Sequence, residues 1–236
     1  MALFVIDMIG NETIYHGPAW DPLCKIITEL KYGVKKFGVP VVHFAYPCKH
    51  NTIQLNNGKT KDRELLRYFH PGIAIEADDY LARKKTNSAL TPPVVTFLRN
   101  RGVDTIILAG IWENDSVFDD DPRSCVTASA KAAIGTGFQI VVAEEATNFA
   151  HGIHRDTGMP LHNGYMPEPA ERQRRLERVG AKLMPVSDII NLAHEALIAS
   201  QAPRRPIIAE SRKWTGKIPD RGSANIVAAS RIKNTL

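Results

Sequence analysis

The chain has 236 residues, of which 44% are hydrophobic and 23% charged, and its formal net charge is +5. This length fits one sizeable α/β domain with a full core, and the composition is ordinary for a soluble globular protein. No dense basic run with interleaved aromatic side chains occurs, which argues against a nucleic-acid partner. No apolar run is long enough to span a membrane, so no membrane partner is expected either.

The cysteines and the start of the chain bear on the compartment. Cys24, Cys48 and Cys125 form no Cys-x-x-Cys pair and no disulfide framework, which suits a reducing environment. The first predicted strand begins at Ala2, which leaves no room for a signal peptide. We therefore expect a cytoplasmic protein.

Strands and helices are predicted to alternate along most of the chain. Continuous apolar runs predict buried strands, and apolar residues at helical spacing predict helices between them. This alternation predicts a doubly wound, mainly parallel sheet of six strands with helices on both faces. Residues 46–62 read as a long surface loop. The predicted strands span residues 2–8, 39–44, 77–85, 103–109, 138–143 and 182–185, and the helices 21–37, 92–100, 125–135, 167–179 and 187–200, with Ser187 as the last helix's N-cap.

The last residues of the chain differ in composition from the rest. Residues 1–202 are predicted to form one domain. Residues 203–236 contain too few periodic apolar positions for a core of their own. We expect them to form an arm that packs on a neighbouring subunit of a homo-oligomer.

A cysteine stands where a polar loop meets a predicted helix. The strand 103–109 runs into the loop, and an Ala-rich helical run begins at Cys125. Unpaired N–H groups and the positive end of the helix dipole favour a thiolate at this position. The pattern predicts a nucleophile whose pKa lies below the free-thiol value of about 8.5. The alternative is a small buried residue that begins a helix.

Two further ionisable positions follow buried strands. Asp7 ends the first predicted strand, and Lys84 and Lys85 end the third. A charge at the end of a buried strand is costly unless it is paired or functional, although Asp7 could instead cap the following loop. Because the carboxyl ends of parallel strands meet at one edge, these side chains can converge with Cys125.

The histidines do not form a recognisable metal motif. His43 and His50 have no Asp-x-His beside them, and no His-Glu-x-x-His occurs. We expect a protein with no metal and no cofactor.

Three segments together resemble the isochorismatase-like cysteine hydrolase superfamily, in its amidohydrolase branch. The resemblance covers about residues 2–200 and implies a Rossmann-type α/β fold. The three motifs together are far more specific to this superfamily than any one of them alone. The matching segments are Val5-Ile-Asp-Met8, Lys84-Lys-Thr-Asn-Ser-Ala-Leu90, and the series Gly110-Ile111, Cys125-Val126 and Gly137-Phe138.

The chain departs from the family pattern in the loop before the cysteine. The family places its cysteine about six residues beyond the glycine, where this chain has Ser116. Counted back from Gly137-Phe138, the family's helix length selects Cys125 instead. The glycine before the loop and the Gly137-Phe138 pair both match the family if the loop carries an insertion of about nine residues, near 116–124. We select Cys125 as the nucleophile and keep Ser116 as the rival. The metal motif of nicotinamidases is missing, which argues against that activity.

The resemblance implies a triad of Asp7, Lys84 and Cys125, with Lys85 as the rival of Lys84. The backbone N–H groups of Cys125 and Ser124 would form the oxyanion hole. The implied reaction is hydrolysis of an amide, ureide or carbamoyl C–N bond of a small molecule through a thioester. The alternatives are vinyl-ether cleavage of the isochorismatase type and a non-catalytic binding protein on the same fold.

Four other side chains are candidate pocket residues by position alone. The inserted loop 116–124 could be a lid over the site or a solvated surface loop. Each of the four could equally serve in packing. They are Trp20, Trp112, Glu113 and Arg123.

The predicted arm yields a direct test. If residues 203–236 pack on another subunit, a chain truncated after Ala202 will have a lower mass in light scattering and a lower melting temperature. An unchanged mass and melting temperature would mean that the arm is a loose tail.

Overall fold

The computed structural model describes residues 1–8, 21–45, 48–56, 66, 69–114, 125–150 and 168–201, and only the backbone at 112–114, 134 and 148–150. The strands are β1 (Ala2–Ile6), β2 (Val41–Ala45), β3 (Thr52–Leu55), β4 (Tyr80–Arg83), β5 (Thr105–Asn114), β6 (Gln139–Ala150) and β7 (Ala181–Met184). The helices are α1 (Asp21–Lys35), α2 (Pro92–Asn100), α3 (Cys125–Ala133), α4 (Pro169–Glu177) and α5 (Val186–Gln201). The predicted arm lies outside the described residues, so its role stays a prediction.

The strands form one sheet in the order β3-β4-β2-β1-β5-β6-β7. Every neighbouring pair is parallel except β3 with β4. From β1 the chain builds outward first through β2 and then, on the other side, through β5. The point between β1 and β5 is therefore the topological switch point, where open α/β sheets form their ligand sites.

The doubly wound, mainly parallel architecture is confirmed, and the sheet has one strand more than the six predicted. The additional strand is β3, which lies inside the segment 46–62 that we interpreted as a loop. It is an antiparallel edge strand, and three of its four residues are exposed. An edge strand with so little burial lacks the apolar pattern from which the other strands were predicted.

Both faces of the sheet are covered, which explains why its central strands are apolar throughout. On β1, Leu3 and Val5 pack against the face that carries α1 and α5, and Phe4 and Ile6 against the face that carries α2, α3 and α4. Successive residues of a strand point to opposite faces, so a strand covered on both sides needs apolar side chains at every position. Among the described residues, no helix is both long and apolar enough to cross a membrane.

The start of α5 differs from the sequence prediction. The helix begins at Val186, so Ser187 lies within its first turn and is not the N-cap. The Val186 N–H donates to the carboxylate of Glu145, at 2.8 Å. An acceptor from β6 therefore caps the helix, and this partner is distant in the sequence.

A buried ionic cluster fixes the start of β4. Asp79 is fully buried, and its carboxylate lies 2.7 Å from the ammonium of Lys31 and 2.8 Å from that of Lys35. His43 Nε2 lies 3.2 Å from the same carboxylate. Burial alone would raise the pKa of Asp79, but the hydrogen bonds from these three side chains hold it well below its usual range. The cluster ties β4 to α1 and β2 at the edge of the sheet opposite Asp7.

Gly110 permits β5 to approach β1 closely just before Asp7. Gly110 pairs with Ile6 and has a φ of 108°. A Cβ at this position would lie 2.2 Å from the Ile6 carbonyl oxygen. Both the backbone conformation and the space therefore require glycine.

We expect Gly110→Ala to lower the free energy of unfolding by on the order of 2–4 kcal/mol, because it adds backbone strain and a clash with Ile6. Urea unfolding followed by circular dichroism measures the loss. Gly135→Ala is the matched control, since a Cβ there meets nothing within 4 Å. Equal stability of the two variants would contradict the close approach.

Candidate functional site

Three ionisable side chains meet at the carboxyl edge of the sheet. The ammonium of Lys84 lies 2.7 Å from Oδ2 of Asp7 and 3.0 Å from the sulfur of Cys125. Lys84 follows β4, Asp7 follows β1 and Cys125 begins α3. In the sequence, Lys84 is 77 positions from Asp7 and 41 positions from Cys125. The structure thus brings together the three residues that the resemblance selected.

Asp7 reaches the site through an unusual backbone conformation. Its φ is 50°, and among the described residues no other residue except glycine has a positive φ. Its N–H donates to the Phe44 carbonyl at 3.2 Å, which continues the pairing of β1 with β2. The left-handed conformation costs on the order of 1 kcal/mol and redirects the chain as it leaves the strand. Strain of this kind is common at functional sites.

Lys84 is held by its backbone and by its ammonium. Its N–H donates to the Ala45 carbonyl at 3.1 Å, and its own carbonyl accepts from the Cys48 N–H at 3.0 Å. Besides Asp7 and Cys125, the ammonium donates to the Asn87 carbonyl at 2.9 Å. The side chain is fully buried.

Lys85, the alternative to Lys84, lies elsewhere. It is exposed, and its backbone N–H donates to the side-chain oxygen of Asn51 at 2.8 Å. Adjacent residues of an extended segment point to opposite sides, so only one of two successive lysines can enter the site. The geometry selects Lys84.

Cys125 is the first residue of α3 and is 5% exposed. The helix is anchored by Val126, Ala130 and Ala133, which pack in the core beneath it. The first N–H groups of a helix have no partner within the helix. Those of α3 begin at the residue that carries the thiol, which is the placement an oxyanion hole requires.

The electrostatics of the site favour a neutral thiol in the resting protein. Burial raises the pKa of Cys125, and the negative charge of Asp7 raises it further, while Lys84 acts in the opposite direction. Burial also raises the pKa of Asp7, with Lys84 and a hydrogen bond from Cys125 partly opposing it. The sequence-based expectation of a lowered Cys125 pKa is therefore wrong. It counted the helix terminus and the lysine but not the desolvation or the carboxylate.

Asp7 has one carboxylate oxygen without a hydrogen-bond partner among the described residues. Its Oδ2 accepts from Lys84, whereas its Oδ1 is buried and has no hydrogen-bond partner among the described residues. A buried acceptor without a partner is costly in a static structure. It has a use if it receives a proton during a reaction.

The other two cysteines have different surroundings. Cys24 lies in α1, 3.3 Å from His70 Nδ1, and burial raises its pKa to about 11. Cys48 is half-buried, and burial is also the main reason that its pKa is raised.

Several predicted site residues cannot be placed. Trp20, Ser124, Arg123 and the rival nucleophile Ser116 lie outside the described residues, as does the loop 116–124. Trp112 and Glu113 belong to the end of β5, but only their backbone is described. Their roles stay predictions.

The structure also reveals two participants that the sequence analysis did not identify. They are the Asn87 carbonyl, which accepts from Lys84, and the hydroxyl of Ser129, which bonds to the Cys125 carbonyl at 2.6 Å. A backbone carbonyl leaves no trace in a sequence. Ser129 left one signal, because it is a polar residue four positions after Cys125 on a face of α3 that is otherwise apolar.

One group of carboxylates could hold a metal ion by its geometry. Among the described residues, Glu76, Asp78 and Asp79 bring oxygens within 4.8 Å of one another. Lys35 already bonds to all three, and the group precedes β4, away from the thiol.

Comparison with known proteins agrees with the fold and with the family. A family model described as the isochorismatase domain matches residues 1–160. No curated protein matches the chain.

Solved structures with the same fold share little sequence with this chain. An isochorismatase-like hydrolase from Alkaliphilus metalliredigens has a TM-score of 0.52 at 19% identity, covering 81% of this chain and 97% of that chain. The N-carbamoylsarcosine amidase of Thermoplasma acidophilum has a TM-score of 0.51 at 20% identity, with coverages of 78% and 95%. A cysteine hydrolase from Pseudomonas syringae has a TM-score of 0.55 at 16% identity, with coverages of 83% and 92%. The predicted resemblance to the isochorismatase-like superfamily is confirmed, while its amidohydrolase branch stays a prediction, and the chain belongs to the isochorismatase domain family.

Proposed function

We propose that the protein is a cysteine-dependent hydrolase that cleaves a C–N bond of a small amide, ureide or carbamoyl compound through a thioester. The observation that carries the proposal is the contact of one buried ammonium, that of Lys84, with both the Asp7 carboxylate and the Cys125 sulfur. A purely structural ion pair needs no thiol, and a purely structural thiol needs no ion pair. Their combination supplies a nucleophile, a base and a fixed positive charge.

The first half of the reaction forms the thioester. As the sulfur of Cys125 attacks the carbonyl carbon, its proton passes to Asp7, whose pKa is raised by burial. The carbonyl oxygen becomes an oxyanion, and N–H groups at the start of α3 stabilise it. When the C–N bond breaks, Asp7 returns the proton to the leaving nitrogen, which departs as ammonia or an amine.

The second half releases the acid. Asp7, again a carboxylate, removes a proton from a water molecule that attacks the thioester carbonyl. The C–S bond breaks, and the proton held by Asp7 returns to the sulfur. Lys84 keeps its charge throughout and stabilises whichever of Asp7 and Cys125 is negative.

The names of two structural neighbours support this choice of chemistry. One is an N-carbamoylsarcosine amidase and another a cysteine hydrolase. At their low identity these names suggest a reaction class and not a substrate. The thiol also favours C–N hydrolysis over vinyl-ether cleavage, which does not need a nucleophilic cysteine.

We expect Cys125→Ala, Asp7→Asn and Lys84→Met each to lower hydrolysis by about a thousandfold or more while leaving the fold intact, because the three groups act as a unit. The measurement is ammonia release from amides, ureides and carbamoyl compounds, including N-carbamoylsarcosine, biuret and nicotinamide. Intact mass spectrometry after rapid quenching detects the acyl group on Cys125.

Lys85→Met is the matched control for the lysine, since Lys85 is exposed and should be dispensable. Full turnover by Cys125→Ala would refute the covalent mechanism. It would direct attention to Ser116 or to vinyl-ether cleavage.

The coupled charges predict opposite effects of two substitutions on thiol reactivity. Asp7→Asn removes a charge that raises the pKa of Cys125, and Lys84→Met removes one that lowers it. We expect iodoacetamide to alkylate Cys125 about tenfold faster in the first variant and about tenfold more slowly in the second, for each pKa unit of change. Asparagine tolerates the left-handed conformation at position 7, so the fold is kept. Peptide mapping over a pH series gives the rates.

Cys24 serves as the internal reference, because burial and Asp21 set its pKa and the site does not. A rate of Cys125 alkylation that changes in the same direction in both variants would contradict the proposed coupling.

A further inference from the structure

We infer that Ser129 is a positioning residue of the site, whose hydroxyl sets the distance between the Lys84 ammonium and the Cys125 sulfur. The inference rests on the proposed function and adds a residue to it. Its basis is a continuous series of hydrogen bonds that joins the segment after β4 to the first turn of α3.

The hydroxyl of Ser129 bonds in both directions. It accepts from the Ala89 N–H at 2.8 Å and donates to the Cys125 carbonyl at 2.6 Å. Ser129 and Ala89 are both fully buried, so water cannot replace either bond. A serine within a helix commonly bonds to the carbonyl four residues earlier. Here the same oxygen also receives a donor from a separate segment of the chain.

That segment carries the acceptor which orients Lys84. The Asn87 carbonyl, two residues before Ala89, accepts from the Lys84 ammonium at 2.9 Å. The ammonium in turn lies 3.0 Å from the sulfur of Cys125. The bonds therefore close a ring from the helix through Ser129, the 87–89 segment and Lys84 back to the helix.

The ring has a mechanical consequence. Lys84 and Cys125 belong to elements that are not neighbours in the sheet, since β4 is separated from β5 by β2 and β1. Without the hydroxyl, the Ala89 N–H is a buried donor with no partner, and the 87–89 segment is free to move away from α3. The Asn87 carbonyl then shifts with it, and the ammonium, although still paired with Asp7, loses the acceptor that sets its distance from the sulfur. A displacement of about 1 Å weakens the hydrogen bond from the ammonium to the sulfur and lowers the stabilisation of a thiolate.

The test measures thiol reactivity without any substrate, so it does not depend on the reaction being identified. The rate of Cys125 alkylation by iodoacetamide is followed from about pH 6 to about pH 10 in Ser129→Ala and Ser129→Thr. We expect Ser129→Ala to shift the profile to higher pH by about one unit, a tenfold loss of thiolate at a given pH. Ser129→Thr keeps the hydroxyl and should restore most of the reactivity.

Thr136→Ala is the matched control. Its hydroxyl donates to the Ala133 carbonyl at 2.7 Å, in the 3-10 turn (Ile134–Thr136) that follows the last residue of α3. This variant should lose a similar hydrogen bond and keep the alkylation profile of the unmodified protein. If Ser129→Ala lowers stability as Thr136→Ala does and leaves the profile unchanged, Ser129 is merely structural and the inference is overturned.

A double substitution tests the route. If Ser129 acts through Lys84, the Lys84→Met variant will show no further loss of reactivity when Ser129→Ala is added. Losses that add fully in the double variant would overturn the route. Failure of the proposed function has a different signature, namely full hydrolysis by Cys125→Ala, and the alkylation result would be unaffected by it.

Discussion

The site depends on one buried ammonium. Lys84 is removed from water, and its charge is stabilised by the hydrogen bonds that its ammonium donates to the Asp7 carboxylate and the Asn87 carbonyl. The same burial that makes the charge costly also makes it effective, because bulk water screens a buried charge little and the sulfur is only 3.0 Å away. The surrounding structure holds this charge in place.

The sheet supplies the required order of strands. Asp7 leaves the central strand at the switch point, and Lys84 reaches it from two strands away with a long side chain. Gly110 lets β5 approach β1 beside Asp7. At the opposite edge, the buried Asp79 cluster fixes where β4 begins and therefore where Lys84 emerges. Precise placement at one edge thus depends on packing and pairing at the other.

The protonation states follow from desolvation rather than from the helix terminus. A buried thiol next to a carboxylate keeps its proton, and a buried carboxylate has a raised pKa and accepts one more easily. Both groups therefore hold a proton more tightly than they do in water. In the proposed mechanism, the nucleophile is formed at the moment of attack instead of being stored as a thiolate, which would protect a buried cysteine from indiscriminate reaction.

The sequence by itself determined the class of fold, the buried strands and the places of Asp7, of Cys125 and of the adjacent Lys84 and Lys85 at strand and helix ends. Apolar runs and family motifs are local patterns. A strand that is buried on both faces is apolar at consecutive positions, so it can be identified from the sequence. It could not give the edge strand β3, whose residues are largely exposed. Only the tertiary structure separated Lys84 from Lys85, brought the Ser129 hydroxyl to Cys125 and reversed the expected direction of the Cys125 pKa shift. Those outcomes depend on distances and desolvation among residues far apart in the chain, which no local pattern encodes.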